Sequence, residues 1–125
     1  MSANPTYVAT PSSSARREAF LWLASRVTAA VLGLCVIVHL ATMVVAVRSG
    51  LTAAEILGRT RGSITWAVFY GGFVIAVAVH APLGLRTVIA ELARRQGALL
   101  DWTMALLALA LLVGGLRAVF AVTMT

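Results

Sequence analysis

Charge is scarce in this chain of 125 residues, in which Asp, Glu, Lys and Arg together make up 11%, against about 25% in a typical soluble domain. Apolar residues make up 61%. A water-soluble globule of this size could not bury so much apolar surface and would aggregate. The composition therefore argues against a soluble enzyme, a disordered chain or a repeat array, and it predicts a small integral membrane protein.

Lysine is absent, and the ten basic residues are all arginines, which gives a net charge of +6. The arginines flank apolar segments singly or in pairs, a distribution that suits membrane topology better than nucleic-acid binding. The single cysteine, Cys35, lies inside an apolar run. An intrachain disulfide and a cysteine-based metal site are therefore both excluded, and core packing is the expected role of Cys35.

Three apolar segments are long enough to cross a bilayer as helices, which takes about 20 residues each. They cover residues 19–47, 64–92 and 99–122. Residues 51–63 mix apolar and charged positions between glycines and predict a short interfacial helix. We therefore expect an all-α integral membrane protein, with three transmembrane helices running up-down-up as a single domain over residues 19–125.

The first 18 residues are polar, rich in Ser and Pro, and end near a basic pair. They predict a flexible cytoplasmic tail, with an organellar transit peptide as the alternative. With the N-terminus in the cytoplasm, six arginines fall on that side and four on the other. This excess is in the direction of the positive-inside rule.

Ionisable residues within apolar spans are costly and are candidates for function. Four residues qualify: Arg26, His39, His80 and Arg86. Each also has a structural interpretation. The arginines could extend their guanidinium groups to the lipid headgroups, and the histidines could hydrogen-bond across a helix interface.

His80 has small residues at helical spacing on both sides. Gly72, Ala76, His80 and Gly84 follow one another at steps of four residues and therefore share one helix stripe. Such a stripe forms a shallow trough that could accept a neighbouring helix or the plane of a porphyrin, with the imidazole reaching its iron. Arg86 could then meet a haem propionate through a charge-assisted hydrogen bond.

The second span then resembles a known family. The stretch HAPLGLRTVIAE, residues 80–91, is similar to the H-x-x-x-G-[IL]-R-[HT]-x-x-x-[DE] signature of the cytochrome b membrane-anchor subunit of succinate dehydrogenases and fumarate reductases. The sequence RVTA at residues 26–29 is similar to the R-x-[ST]-G motif of the family's first span. The three-span layout and the length also match.

This resemblance implies a role for several residues. His80 matches the axial ligand of the haem iron, Arg86 an arginine beside the haem propionates, and Arg26 an arginine at the quinone pocket. Ser25 and Trp22 are the further quinone-site candidates, because Trp22 stands where many members have a serine and Ser25 is the nearby hydroxyl. The chain also departs from the pattern at Thr87, Glu91 and Ala29.

The resemblance implies a subunit that is not an enzyme on its own. In such complexes a flavoprotein and an iron–sulfur protein interconvert succinate and fumarate, a step of the tricarboxylic acid cycle. The anchor binds them to the membrane and exchanges electrons with quinone through haem b. A haem-free structural anchor is the second hypothesis. A small multidrug-type transporter is the third, although no acidic residue lies in the middle of a span.

His39 is a possible axial ligand of a second haem. It lies thirteen residues beyond Arg26 on the first span, whereas His80 lies six residues from Arg86 on the second. If Arg26 and Arg86 mark one depth near the cytoplasmic face, then at 1.5 Å per residue the two histidines differ in depth by about 10 Å. They should therefore not share an iron within one chain, and the second ligand of His80's haem should come from a partner anchor or a second copy of this chain.

Overall fold

The computed structural model describes residues 12–94 and 96–125. It contains four helices and, in the two ranges it describes, no strand. Three of the helices are long and apolar enough to cross a membrane. The predicted all-α membrane fold, with a short helix between the first two spans, is therefore confirmed. The helices are α1 (Ser13–Arg48), α2 (Ala53–Thr60), α3 (Ile64–Leu92) and α4 (Ala98–Thr123).

Helix α1 begins six residues before the predicted start of the first span. The Ser12 side chain accepts a hydrogen bond from the backbone N–H of Ala15 at 3.3 Å and so caps the helix. Residues 13–18, predicted as part of the tail, are therefore helical. The predicted span begins where the polar residues end, at residue 19, whereas the helix begins directly after its capping serine, Ser12. Residues 1–11 of the predicted tail lie outside the described part of the chain.

Helix α3 is the central element. It packs against both α1 and α4, whereas α1 and α4 make little or no contact with each other in the described ranges. Helix α4 approaches α3 closely at Gly115, where an added Cβ would lie 2.6 Å from Cγ1 of Val74. Helix α1 contributes no buried residue. Most of its apolar surface is therefore left for lipid or for another chain.

Helix α2 and the turn that follows it are hydrogen-bonded to the C-terminal end of α4. The Thr60 hydroxyl donates to the carbonyl of Val122 at 2.9 Å, and the Gly62 N–H donates to the carbonyl of Thr123 at 2.7 Å. These bonds satisfy carbonyls that a helix end leaves without intrahelical partners. Gly62 has a φ of 69°, a left-handed conformation that glycine adopts without steric cost. The short helix thus ties the α1–α3 connection to the C-terminal end of the chain.

Candidate functional site

A cleft of about 540 Å³ lies between α1 and α3. It brings together five residues singled out in the sequence, which come from two segments more than fifty positions apart. Trp22, Ser25 and Arg26 come from α1, and His80 and Arg86 from α3. The remaining lining residues are Leu21, Ala29, Leu83 and Thr87.

The antiparallel register of α1 and α3 assembles this cleft. Thr28 of α1 contacts His80 of α3, and further along α1 His39 lines a cavity together with Tyr70 of α3. Residue numbers therefore rise along α1 as they fall along α3. As a result, the N-terminal half of α1 faces the C-terminal half of α3.

His80 is half-buried and hydrogen-bonded across the helix interface. Its Nδ1 lies 3.1 Å from Oγ1 of Thr28. The hydrogen bond across a helix interface, which was the structural alternative for this histidine, is therefore present. It occupies one of the two ring nitrogens. Sequence reasoning missed Thr28 as the partner. The RVTA motif contains Thr28, but nothing in either span indicated the register that brings it opposite His80.

Arg86 forms an ion pair with the first turn of α4. Its Nε donates to Oδ1 of Asp101 at 2.8 Å. The two terminal nitrogens of the guanidinium take no part in this bond and remain available as donors. Asp101 was another partner that the sequence analysis missed. Its position in the first turn of the third span, just after the short α3–α4 connection, is the sequence signal that could have indicated it.

Arg26 is exposed and stacks on an aromatic ring of its own helix. Its guanidinium carbon lies 5.5 Å from the ring centroid of Trp22, within the range of a cation–π interaction. A guanidinium carries five N–H donors, and a contact through the face of the ring leaves them for other acceptors. Ser25, half-buried beside Arg26, lines the same cleft. This end of the cleft is therefore rich in hydrogen-bond donors.

His39 lies elsewhere in the fold. It is exposed and lines a separate cavity of about 330 Å³ together with Thr42, Trp66 and Tyr70. Thr28 faces His80, and His39 lies eleven residues further along α1. The two histidines are therefore separated by about three helical turns, or roughly 16 Å along the helix axis.

A family model described as "Succinate dehydrogenase/Fumarate reductase transmembrane subunit" matches residues 2–116. The chain belongs to this family. No curated protein and no solved structure matches the chain significantly. As a succinate dehydrogenase/fumarate reductase transmembrane subunit with three apolar helices, the chain is a multi-pass membrane protein. It works together with the other subunits of such a complex.

The residues around His80 in this transmembrane subunit fit a haem. A porphyrin supplies the equatorial nitrogens itself, so the protein needs to offer only axial ligands, and the His80 Nε2 is outside the hydrogen bond to Thr28. A Cβ added at Gly84, one helical turn along, would meet no atom within 4 Å. The stripe of small residues is therefore open at Gly84 and at Gly72. Ala76, one turn from His80 on the side away from Gly84, is buried, with 6% of its surface exposed.

Proposed function

We propose that this subunit passes electrons between the iron–sulfur subunit of its complex and membrane quinone, with a b-type haem held by His80. The observation that carries the proposal is the shared cleft. It combines a histidine with a free ring nitrogen, His80, with two arginines that retain hydrogen-bond donors, Arg26 and Arg86. A helix contact that served packing alone would not need three ionisable side chains around one cavity.

The haem would be held by residues of α3. His80 offers Nε2 as one axial ligand, and Arg86 offers its terminal nitrogens to a propionate while Nε remains on Asp101. When bound, the haem supplies a centre that accepts and releases single electrons. A further ligand for the iron would come from another chain, either a different anchor subunit or a second copy of this one.

The quinone would be held by residues of α1. Arg26 donates hydrogen bonds to a quinone carbonyl, and the adjacent Ser25 hydroxyl contributes a further donor. Trp22 keeps the guanidinium in place through its ring face and offers an apolar surface beside it. Donors aimed at a carbonyl oxygen stabilise the negative charge that this oxygen gains during reduction.

The partners of the subunit would be a flavoprotein and an iron–sulfur protein on the cytoplasmic face. We place the N-terminus of α1 there, because six of the ten arginines then lie on the cytoplasmic side. The lysine-free, Arg-rich composition favours a bacterial inner membrane. The chain would not turn over succinate alone, since one cysteine cannot hold an iron–sulfur cluster.

A reduced-minus-oxidised absorption spectrum of the purified complex tests the haem assignment. We expect the α-band of a low-spin b-type haem, and we expect His80→Leu to lose it or to produce a high-spin spectrum. His39→Leu is the comparison variant, because it removes an imidazole about three turns away and should leave the haem held by His80 low-spin. An assembled wild-type complex without an α-band would instead support the haem-free anchor, in which His80 serves only the contact with Thr28.

A further inference from the structure

The Thr28 hydroxyl makes three contacts in the interface between α1 and α3. Its oxygen lies 2.7 Å from the carbonyl of Ala24, 3.1 Å from the carbonyl of Ser25 and 3.1 Å from Nδ1 of His80. A hydroxyl has one proton to donate and two lone pairs that accept. Because a carbonyl can only accept, either backbone contact uses the single proton of Thr28.

The contact that takes this single proton decides which ring nitrogen of His80 is protonated. With its proton on the Ala24 carbonyl, the shorter of the two backbone contacts, the Thr28 hydroxyl can meet His80 only as an acceptor. Nδ1 must then be the protonated nitrogen, and the lone pair of the neutral imidazole lies on Nε2. We propose that Thr28 is a positioning residue that holds His80 in this tautomer and presents Nε2 to the haem iron.

The arrangement matches a general requirement of metal-binding histidines. Such a histidine usually donates its second ring N–H to an oxygen acceptor, which fixes both the tautomer and the orientation of the ring. Here the acceptor comes from a different helix, 52 positions away in the chain. The ring of His80 is therefore held by α1, two residues from Arg26. The role toward iron rests on the proposed function, whereas the tautomer is a property of the chain itself.

The tautomer can be measured without haem. In the full chain, labelled with ¹⁵N-histidine and reconstituted in lipid bilayers, the two ring nitrogens have distinct NMR shifts according to which one is protonated. The measurement is made well above the ordinary pKa of histidine, and the signals that disappear in His80→Leu belong to His80. We expect a protonated Nδ1 and an unprotonated Nε2 in the wild type.

Three variants complete this test. Thr28→Val keeps the branched shape but removes the acceptor, so His80 should lose its preference for a protonated Nδ1. Thr28→Ser restores the hydroxyl and should restore that preference. Thr103→Val is the matched control, because the Thr103 hydroxyl donates to the Leu99 carbonyl of its own helix, α4. A wild-type His80 protonated at Nε2, or a preference that survives Thr28→Val, would overturn the inference.

A second readout connects the tautomer to the iron. Loss of such an outer hydrogen-bond partner typically lowers metal affinity about 10- to 100-fold, so Thr28→Val should weaken haem retention in the complex to this extent while Thr28→Ser should not. Unchanged haem retention in Thr28→Val would contradict the positioning role. If the wild-type complex held no haem, the proposed function would fail, and the NMR measurement would still decide the tautomer.

Discussion

Arg86 and Asp101 join the central helix α3 to the first turn of α4 through a bond of 2.8 Å between Nε and Oδ1. Their side chains are 36% and 46% exposed, and a pair of this kind contributes only about 0–1 kcal/mol to stability in water. The pair has a larger effect on the orientation of the Arg86 guanidinium than on stability. Because the carboxylate engages Nε alone, it holds the guanidinium at the cleft while the terminal nitrogens stay free.

Asp101→Asn should therefore affect the cleft more than the fold. We expect a change of less than about 1 kcal/mol in the free energy of unfolding in detergent. We also expect measurably weaker haem retention, because the neutral amide weakens the charge-assisted bond that orients Arg86. Glu55→Gln is the control, since it removes a carboxylate at α2. Equal haem retention in the two variants would show that Asp101 does not position Arg86.

Arg26→Leu tests the quinone end of the cleft. Loss of a charged hydrogen bond to the quinone, worth about 1.5–3 kcal/mol, should lower quinone reduction by the assembled complex about 10- to 100-fold. The haem spectrum should stay unchanged, because His80 keeps its contact with Thr28. Arg48→Leu, at the opposite end of α1, controls for loss of an arginine from this helix. Normal quinone turnover in Arg26→Leu would make Arg26 a topology anchor only.

Much of this arrangement could be predicted from the sequence because it depends on local patterns. Long apolar runs set the number of spans, and the steps of four residues around His80 set its helix face. Trp22, Ser25 and Arg26 lie within little more than one turn of α1, so their joint presence at one cleft follows from helical geometry. These signals need no knowledge of how the helices pack.

The contacts between helices could not be predicted in the same way. The Thr28–His80 and Arg86–Asp101 pairs depend on the register between neighbouring helices. Between α3 and α4, the close approach of Val74 to Gly115 is one of the contacts that set this register. No periodicity within one span determines that register. Helix α1 extends beyond the predicted span for a different reason: polarity marks where the apolar span begins, and the helix continues past it to the Ser12 cap.

Gly115→Ala should destabilise the packing of α3 against α4. The new Cβ would lie 2.6 Å from Cγ1 and 2.9 Å from Cγ2 of Val74, and β-branched valine has little rotamer freedom to move away. We expect a loss of about 1–3 kcal/mol in unfolding experiments in detergent, as for other overpacked interfaces.

Gly114→Ala is the matched control for this steric effect. A Cβ at Gly114 would meet nothing within 4 Å, and alanine is favoured over glycine in a helix by about 1 kcal/mol. This variant should therefore be neutral or more stable. If Gly115→Ala were as stable as Gly114→Ala, the close approach at Val74 would not limit packing in the membrane.

The N-terminus of α2 should show a measurable pH dependence. The backbone N–H and the hydroxyl of Thr52 both donate to Oε2 of Glu55, at 2.7 and 2.8 Å. These bonds lower the pKa of Glu55, with a smaller contribution from Arg59. A lowered pKa in the folded state means that the capping box stabilises α2 fully above the ordinary glutamate pKa. This stabilisation is lost as the pH falls through the lowered value.

Thr52→Val removes the hydroxyl from this capping box. We expect the pKa of Glu55, followed by the NMR shift of its carboxylate carbon, to rise toward its ordinary value. Part of the reduction should remain, because the backbone N–H of residue 52 still donates. A pKa of Glu55 that did not change would mean that the side chain of Thr52 contributes nothing to the cap.

The ratio of haem to protein tests how the two histidines are used. Axial ligands of one iron lie on opposite sides of it, so both must be offered at similar depth. His39 and His80 are separated by about three turns, or roughly 16 Å, which excludes a shared iron within one chain.

Because a two-fold axis brings identical residues together, a homodimer with one haem per two chains would indicate a pair of His80 ligands. It would leave His39 structural. About one haem per chain in a homodimer would indicate a second pair formed by His39, and His39→Leu should then halve the haem content. One iron bound by both histidines of the same chain would contradict the register between α1 and α3.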